Sequence, residues 1–585
     1  MQHLVAYAYY MLMSHFLLVW LLLLVLVVAG GLLLSRWADP ASPTLSDQGD
    51  IGGGIKFLRQ ISRTDGISAI VLLLFVAFYI ILIFYKEDFA YYDDEILTNF
   101  SVRGYAFPPP VWLGQGRFFP LADQEFNLLR FITRSPAGYH SLVVVELVIL
   151  LAVLFAVFGA YQVRYRVLVL IAAMAAPSFV IPFTGFVYPE RNVLFWLVVM
   201  LLCLQGYSQT KARIYFIGCL IATQFALYYK ETVVLFVVAY AMTRFLVQLR
   251  VLPREGQRSW LEVAKENALS LGMLGLSAIY VVFFLAALLP HKNFSYITEM
   301  REPLGSILLA YLQTDWLAVI LLAVVIVRFA RLLLSSGQLD PMWDSLAAGA
   351  LAYFFGVLSL RIYSSYYMAP VDFIALLYLA RLSLIWLSRP TRVRVSVVAF
   401  VFLCVLLHDA AYSSLRIVER KAVITTKSEF ADFLKSYLPT VNSSTVELFF
   451  PYANGFRLME LSAYLRYKGF QLVGQGVTVP EVGPRLVVEG REKFANNLCV
   501  EYRDYGCFHE ESAGAGALIV VLPDDDASMS DMESIAKDST LLLSLKAPGI
   551  STRQWFRLLH TVSPMFSRGQ LPEHWLQLHV FKRPA

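Results

Sequence analysis

Long apolar runs separated by short polar connections fill the chain from its N-terminal region to about residue 412. A helix needs about 20 apolar residues to cross the hydrocarbon core of a membrane. After Arg416 the hydropathy falls, and no later run is long enough to span. By this rule the pattern predicts about 12 membrane helices, near residues 4–34, 67–85, 140–162, 167–187, 193–207, 214–229, 232–249, 268–289, 316–335, 344–360, 369–388 and 395–412.

Residues after about 416 show shorter runs, with the alternation typical of an α/β domain. The sequence thus predicts an N-terminal helix and loop (1–66), a transmembrane core (67–415) with a long first outer loop (86–139), and a C-terminal α/β domain (416–585). The predicted strands are Val446–Phe450, Arg485–Val488, Ala517–Leu522, Thr540–Leu545 and Trp575–Phe581, and the predicted helices lie near 428–437, 456–468 and 529–537. Cys499 and Cys507 are close enough in sequence for a disulfide, and a reduced pair is the alternative.

Lysine and arginine mark one side of the predicted bundle. Basic residues collect in cytoplasmic loops of membrane proteins, and here they occupy every second connection. That side is therefore predicted to be cytoplasmic, and the loop 86–139 and the C-terminal domain to be outside, on the periplasmic side of a bacterial inner membrane. The basic residues are Arg36, Lys56, Arg59, Arg63, Arg164, Arg166, Lys211, Arg213, Arg244, Arg250, Arg254, Arg258, Lys265, Arg328, Arg331, Arg389, Arg392 and Arg394.

Composition supports a membrane protein and argues against other classes. The chain is 58% hydrophobic and 16% charged, whereas soluble domains are about 45–50% apolar and about 25% charged. A formal charge of +5 over 585 residues gives no case for nucleic-acid binding. The histidines show no zinc-ligand spacing, and the chain contains no P-loop and no Gly-x-Ser-x-Gly elbow.

Three consecutive acids, Asp93, Asp94 and Glu95, follow the predicted membrane exit within the first outer loop. Adjacent carboxylates repel one another, which favours raised pKa values or a bound divalent cation. One of them can accept a proton from an acceptor hydroxyl as general base. The alternative is that they only solvate the loop and cap a short helix.

An acidic motif at the start of a long first outer loop resembles the GT-C superfamily of polytopic membrane glycosyltransferases. That superfamily includes protein O-mannosyltransferases, the aminoarabinose transferase of lipid A and arabinofuranosyltransferases. The resemblance implies a polyprenyl-phosphate sugar donor, an aspartate of the motif as catalytic base, and soluble domains on the outer side. The matching positions are Asp93, Asp94 and Glu95.

Basic residues in the outer turns are exceptions to the charge rule. A polyprenyl phosphate presents its phosphate at that depth, and arginine or lysine binds phosphate through charge-assisted hydrogen bonds. The alternative is that each cation pairs with its own neighbouring glutamate or reaches water. The candidate phosphate ligands are Arg191, Lys230, Arg361 and Arg117, with Glu190 and Glu231 as supports and Tyr366 at the start of a late helix.

These observations predict an α-helical polytopic membrane protein of GT-C type with a C-terminal α/β domain. Its predicted function is an inverting transfer of sugar from a polyprenyl-phosphate donor to a glycan, lipid or protein acceptor. A transporter or flippase of lipid-linked sugars is the main alternative, because Pro177 and Pro182 can break a span and Asp372 is an ionisable residue within one. A glycan polymerase or ligase is the other.

Overall fold

The computed structural model describes residues 15–38, 63–91, 94–112, 117–159, 161–251, 260–288, 303–334, 339–361, 363–387, 391–441, 445–452, 455–472, 485–490, 513–522, 529–546 and 577–584. Asp93, Cys499 and Cys507 lie outside these ranges, so the structure does not test the predictions made for them.

Apolar helices make up the N-terminal two thirds of the described chain. They are α1 (Phe16–Trp37), α2 (Arg63–Phe84), α5 (Pro136–Val157), α6 (Val163–Ala175), α7 (Pro177–Thr184), α8 (Pro189–Thr210), α9 (Arg213–Tyr229), α10 (Val233–Val251), α12 (Ala268–Leu288), α13 (Leu304–Thr314), α14 (Trp316–Leu334), α15 (Trp343–Leu360), α16 (Ala369–Leu387) and α17 (Arg392–Tyr437). The short helices α3 (Glu95–Asn99) and α4 (Glu125–Leu129) lie in the first outer loop, and α11 (Trp260–Glu266) precedes α12.

In the described part of the chain, eight helices are long and apolar enough to cross a membrane, and ten if each of two bent pairs counts as one span. The chain is therefore a multi-pass membrane protein, as predicted. The other two predicted spans, 214–229 and 232–249, correspond to α9 and α10. These two helices are not among the ten counted above. The count of about 12 thus stays a prediction.

Two helix pairs are sharply bent. The first bends by 70° between α6 and α7, where Ala176 adopts an extended conformation. Pro177 explains this break, because a proline disfavours the α conformation of the residue before it. The second pair bends by 98° at Asp315, whose Oδ1 accepts a hydrogen bond from the Ala318 amide at 3.0 Å and so caps α14.

Burial separates central from peripheral helices. The apolar windows of α15 and α16 are 67% and 61% buried within the protein, whereas those of α1 and α2 are 11% buried. The first two are the centre of the bundle, and the last two present most of their surface to lipid. Gly349 allows α15 to approach α10, since a Cβ there would lie 2.9 Å from the Phe236 carbonyl oxygen.

Helix α17 is 46 residues long, which corresponds to about 69 Å at the usual helical rise. The helix predicted near 428–437 is therefore not a separate element, because α17 continues without a break from the last apolar run to Tyr437. The hydropathy changes along this stretch, but the helical conformation does not. Ser413 Oγ donates to the Ala175 carbonyl at 2.5 Å and ties α17 to the bend between α6 and α7.

Residues after α17 form a five-stranded sheet. Its strands are β3 (Thr445–Phe450), β4 (Arg485–Gly490), β5 (Leu518–Val521), β6 (Thr540–Lys546) and β7 (Gln577–Lys582), in the order β4-β3-β5-β7-β6. The first three are parallel, and β7 pairs antiparallel with β5 and β6. Every predicted strand overlaps an observed one. Helices α18 (Gly455–Tyr467) and α19 (Met529–Asp538) match the other two predicted helices.

The first outer loop packs against this C-terminal region. The loop contains α3, α4 and a small antiparallel hairpin of β1 (Val111–Trp112) and β2 (Arg117–Phe118). The Asp88 carboxylate accepts from Tyr464 Oη at 2.8 Å and pairs with Lys468 Nζ at 2.5 Å. The loop and α18 of the C-terminal region thus lie on one side of the bundle.

Candidate active site

The described part of the acidic motif is buried. Asp94 immediately precedes α3, and its Oδ2 accepts a hydrogen bond from the Tyr91 amide at 2.9 Å. The Asp94 side chain is 1% exposed and Glu95 is 7% exposed, and Asp94 makes no side-chain cap to its own helix. Burial thus contradicts solvation of the loop as the explanation for these two acids, and Asp94 does not cap α3 with its side chain, although Glu95 lies in the first turn of that helix.

Arg191 is fully enclosed in a network of acids that sequence proximity did not suggest. Its Nε lies 2.5 Å from Glu146 Oε2 and its Nη2 lies 3.3 Å from Glu125 Oε1. Nη1 donates to the Phe186 carbonyl at 3.0 Å, and Asn192 donates to the same Glu125 oxygen at 2.6 Å. Burial, and to a smaller extent repulsion by the Glu146 carboxylate, raise the pKa of Glu125 above its usual range.

Lys230 and Arg117 are also paired with carboxylates. Lys230 Nζ lies 2.7 Å from Glu190, while the Arg117 guanidinium binds Glu231. Although burial alone opposes these charges, Glu190 raises the pKa of Lys230, and Arg117 lowers that of Glu231.

The cations therefore do not pair with their own neighbours in the sequence. Glu190 binds Lys230 and not Arg191, and Glu231 binds Arg117 and not Lys230. The alternative that each cation pairs with its own neighbouring glutamate is therefore wrong for Arg191 and for Lys230. We call the set the ion-pair layer; it consists of Arg117, Glu125, Glu146, Glu190, Arg191, Lys230 and Glu231.

Aromatic rings connect Tyr366 to this layer, but Arg361 lies apart from it. The Tyr367 ring is 4.2 Å from Lys230 Nζ and 4.7 Å from the ring of Tyr366, which also contacts Tyr188 at 4.9 Å. Arg361 is exposed, in a left-handed conformation at the end of α15. Among the described residues it makes no ion pair with the layer.

A second polar region is a small cavity at the two helix bends. Three carboxylates line it, those of Asp315, Asp372 and Asp409. His408 lies beside it, with Nδ1 3.1 Å from Asp409 Oδ1 and its ring stacked on Trp316 at 4.4 Å. We call this the carboxylate cavity; Pro177, Ser178, Tyr311, Thr314, Leu317 and Ser365 complete its lining.

No protein-family model and no curated protein match the chain. Among solved structures, it is similar to two crystal structures of ArnT from Cupriavidus metallidurans. The one bound to undecaprenyl phosphate is 13% identical, with a TM-score of 0.39 over 87% of this chain and 97% of that chain. The apo structure is 14% identical, with a TM-score of 0.41 over 82% and 96%. No family is assigned on this likeness.

Two basic residues of α17 belong to the site and were missed from sequence. Arg420 is 3% exposed and lies over the Tyr91 ring, with Cζ 4.2 Å from the ring centroid. Lys421 Nζ donates to the Ile83 carbonyl at 3.0 Å. The sequence feature that could have identified Arg420 and Lys421 is that they are two adjacent cations eight residues after the last predicted span, near the depth of lipid phosphate groups. Glu146 was also missed, although an acid within an apolar run is a functional signal by itself.

Glu87, in the first outer loop, contacts α5 and lies within the electrostatic influence of Arg420 and Lys421 on α17. Its Oε2 lies 2.9 Å from His140 Nε2. Burial raises the pKa of Glu87 to about 7, against the opposing effect of Lys421 and Arg420. In the ranges that the structure describes, no group of three or more histidine, cysteine or acidic side chains is placed to hold a metal ion. Asp93 was not part of those ranges, so the expected divalent cation is not tested.

Proposed function

We propose that the protein is a membrane glycosyltransferase of GT-C type, which moves a sugar from a polyprenyl-phosphate donor to a glycan, lipid or protein acceptor. The observation that carries the proposal is the burial of Asp94 and Glu95 in a loop that contributes the enclosed Arg117 and contacts the enclosed Arg191 and Arg420. Buried acids beside a polar layer at a helix end have the environment of a general base.

The proposed reaction is a single inverting displacement. Asp93 or Asp94 accepts the proton of the acceptor hydroxyl while that oxygen bonds to the anomeric carbon. The bond between the anomeric carbon and the carrier phosphate breaks, and the phosphate leaves as an anion. Glu95 orients the acceptor or helps to hold a divalent cation.

Within this proposal, the cations stabilise the leaving phosphate to different degrees. Lys230 has one carboxylate partner and faces aromatic rings, so its remaining N–H groups can bind a phosphate oxygen. Arg117 and Arg361 are placed in the same role. Arg191 has its nitrogens engaged by two glutamates and a carbonyl, so it acts by positioning the turn that contains Glu190.

The proposal places the first outer loop and residues 416–585 on the periplasmic side of a bacterial inner membrane. The contacts of Asp88 with Tyr464 and Lys468 support a common side for both. The C-terminal α/β region then covers the site or engages the acceptor.

The test is glycan transfer in cells that lack the native protein and express variants at matched membrane levels. We expect Asp94→Asn or Asp93→Asn to lower transfer by about 10²- to 10⁴-fold, as loss of a general base does. Lys230→Ala should lower it by about 10- to 1,000-fold through loss of phosphate stabilisation. The lipid-linked donor should accumulate in each case.

Glu429→Gln is the matched control, because Glu429 is a half-exposed carboxylate on α17 that lies 3.9 Å from Lys86. It should keep full transfer. Full transfer in both aspartate variants and in Lys230→Ala would rule out the proposed site.

A second candidate function has its own supporting observation. Two bent helix pairs meet at the carboxylate cavity, with Asp372 6% exposed inside the bundle. Broken helices around buried ionisable residues are typical of secondary transporters. A flippase of lipid-linked sugars would use this cavity and not the acidic motif.

Proteoliposomes containing a lipid-linked sugar separate the two candidates. If the protein is a flippase, Asp372→Asn stops movement of the sugar headgroup between leaflets while Asp94→Asn does not. If it is the transferase, wild type and Asp372→Asn are equally inactive in movement, and only the Asp94 variant loses transfer.

A further inference from the structure

Among the described residues, Arg420 has no carboxylate partner, and unlike its neighbour Lys421, which donates to the Ile83 carbonyl, it has no hydrogen bond from Nε or Nη2. Its side chain is 3% exposed, and its Nε and Nη2 atoms are enclosed without a hydrogen-bond partner in the described structure. By contrast, Arg191, Lys230 and Arg117 are each held by at least one glutamate. Three of the four cations expected from sequence to bind an anion, Arg117, Arg191 and Lys230, are already paired with carboxylates, and Arg420 is not.

An unpartnered guanidinium is costly inside a protein. A buried charge is normally paired and hydrogen-bonded, because it loses its hydration on burial. The Tyr91 ring offers the flat face of an aromatic group to the guanidinium, but a cation–π contact leaves the N–H groups along the edge without acceptors. The edge therefore lacks an acceptor, which a ligand oxyanion would supply.

The lack of a side chain at Gly185 keeps one nitrogen of the guanidinium from being crowded. Gly185 faces Arg420, and a Cβ on that glycine would lie 3.0 Å from Nη1. The Gly185 carbonyl belongs to the turn that Arg191 holds through Phe186. Tyr91, on the other face, donates its amide to Asp94. Arg420 thus lies between the acidic motif and the turn that ends in the ion-pair layer.

We propose that Arg420 is a phosphate-binding residue, which holds the phosphate oxygens of the carrier lipid with the edge of its guanidinium. A guanidinium presents paired N–H donors that match two phosphate oxygens, which a lysine cannot do. The identity of the ligand as a carrier lipid rests on the proposed function; the binding of a phosphate oxyanion by Arg420 does not.

The position on α17 adds a consequence for the reaction. Arg420 lies on the same helix that continues into the C-terminal sheet, whereas the ion-pair layer lies on the bundle and the first loop. The phosphate would therefore be held from two sides. The contact from α17 would bring the phosphate toward Asp94.

The experiment measures binding to the purified full chain in detergent, by the shift in thermal unfolding and by native mass spectrometry. The probes are undecaprenyl phosphate, inorganic phosphate, and undecaprenol as the uncharged lipid. We expect Arg420→Gln to weaken binding of undecaprenyl phosphate by about 10- to 100-fold, the loss typical of hydrogen bonds to a charged group. Arg420→Lys should recover only part of it.

The matched control is Arg416→Gln, one helical turn away, because Arg416 is paired with Glu419 at 2.7 Å. It should bind undecaprenyl phosphate like wild type.

The ligand-free protein gives a second readout. Since Arg420 has no carboxylate partner among the described residues and the cost of its burial outweighs its contact with the Tyr91 ring, Arg420→Gln should leave the unfolding temperature without ligand unchanged or higher, whereas a purely structural arginine would lower it.

Each outcome decides between the two proposals. Equal binding of undecaprenyl phosphate by wild type and Arg420→Gln would overturn the role of Arg420 and leave the transferase proposal intact. Binding of inorganic phosphate that depends on Arg420, without binding of undecaprenyl phosphate, would support the oxyanion site and contradict the carrier lipid. A lower unfolding temperature without ligand, with unchanged binding, would make Arg420 structural.

Discussion

The ion-pair layer and the carboxylate cavity use buried charge in opposite ways. The layer combines three cations with four carboxylates, and each cation lies within ion-pair distance of an acid. The cavity places three carboxylates around one small space, with His408 as the only basic group among the contacts described for it. One region has charges of both signs, and the other has nearly all of one sign.

The difference indicates distinct roles. Opposite charges in contact fix the geometry of the turns that contain them, because each pair is costly to separate in a buried setting. Like charges in one cavity repel, and they persist where protons or a ligand can offset them. The layer therefore acts as a scaffold for a site, and the cavity as a place where protonation or binding changes the local energy.

The largest expected effect is loss of a buried pair in the layer. Glu190→Gln removes the carboxylate 2.7 Å from Lys230, which leaves an enclosed ammonium without its counter-ion. Breaking such a pair costs about 3–5 kcal/mol. Thermal unfolding in detergent, followed by tryptophan fluorescence, measures the change.

The double variant Glu190→Gln, Lys230→Met is its control, since removing both charges should restore most of the lost stability. A single variant with the stability of wild type would mean that Lys230 is neutral or solvated, and the layer would not be a scaffold.

A smaller effect of opposite sign is expected in the cavity. Asp372→Asn replaces one of three crowded carboxyl groups by an amide and keeps the shape of the side chain, so the free energy of unfolding should stay the same or rise by about 1 kcal/mol. The same unfolding assay applies. A loss of several kcal/mol would show that Asp372 is a counter-ion, and the contrast between the two regions would fail.

The last effect is a dependence of stability on pH, which arises at Glu87 beside His140. The pKa of Glu87 is raised from 4.5 to about 7, mainly by burial. The folded state therefore keeps a proton on Glu87 that the unfolded state releases, so stability from this group is present below pH 4.5 and is lost as the pH rises to about 7. Glu87→Gln should flatten this part of the curve of unfolding temperature against pH.

His140→Phe serves as the comparison, because it removes the neighbour of Glu87 while keeping a ring against Phe186. A decline between pH 4.5 and 7 that is as steep in Glu87→Gln as in wild type would assign it to other groups.

Regular elements were predictable because local pattern determines them. Alternation located all five strands of the C-terminal sheet, and Pro177 explains the break between α6 and α7. The long helix α17 was divided in the prediction, because hydropathy changes where the chain leaves the membrane even though the backbone geometry continues. Hydropathy reports the solvent around a helix, and only indirectly its length.

The pairing of buried acids with buried cations could not be predicted from local sequence pattern. Arg191 and Glu190 are adjacent in the sequence, but successive residues at the start of a helix point in different directions. Each therefore meets a partner from another element, Arg191 on α4 and α5 and Glu190 on the turn at Lys230. Tertiary packing decides these pairs, and it also decides that Arg420 has none.

The continuity of α17 has a mechanical consequence. A rod of about 69 Å that is tied to the bundle near its middle by Ser413 can transmit a tilt from one of its ends to the other. A tilt imposed on the sheet at one end must be matched by a displacement at the other, and the guanidinium of Arg420 lies a short distance beyond the Ser413 contact. A load on the sheet would then shift that side chain relative to the first outer loop.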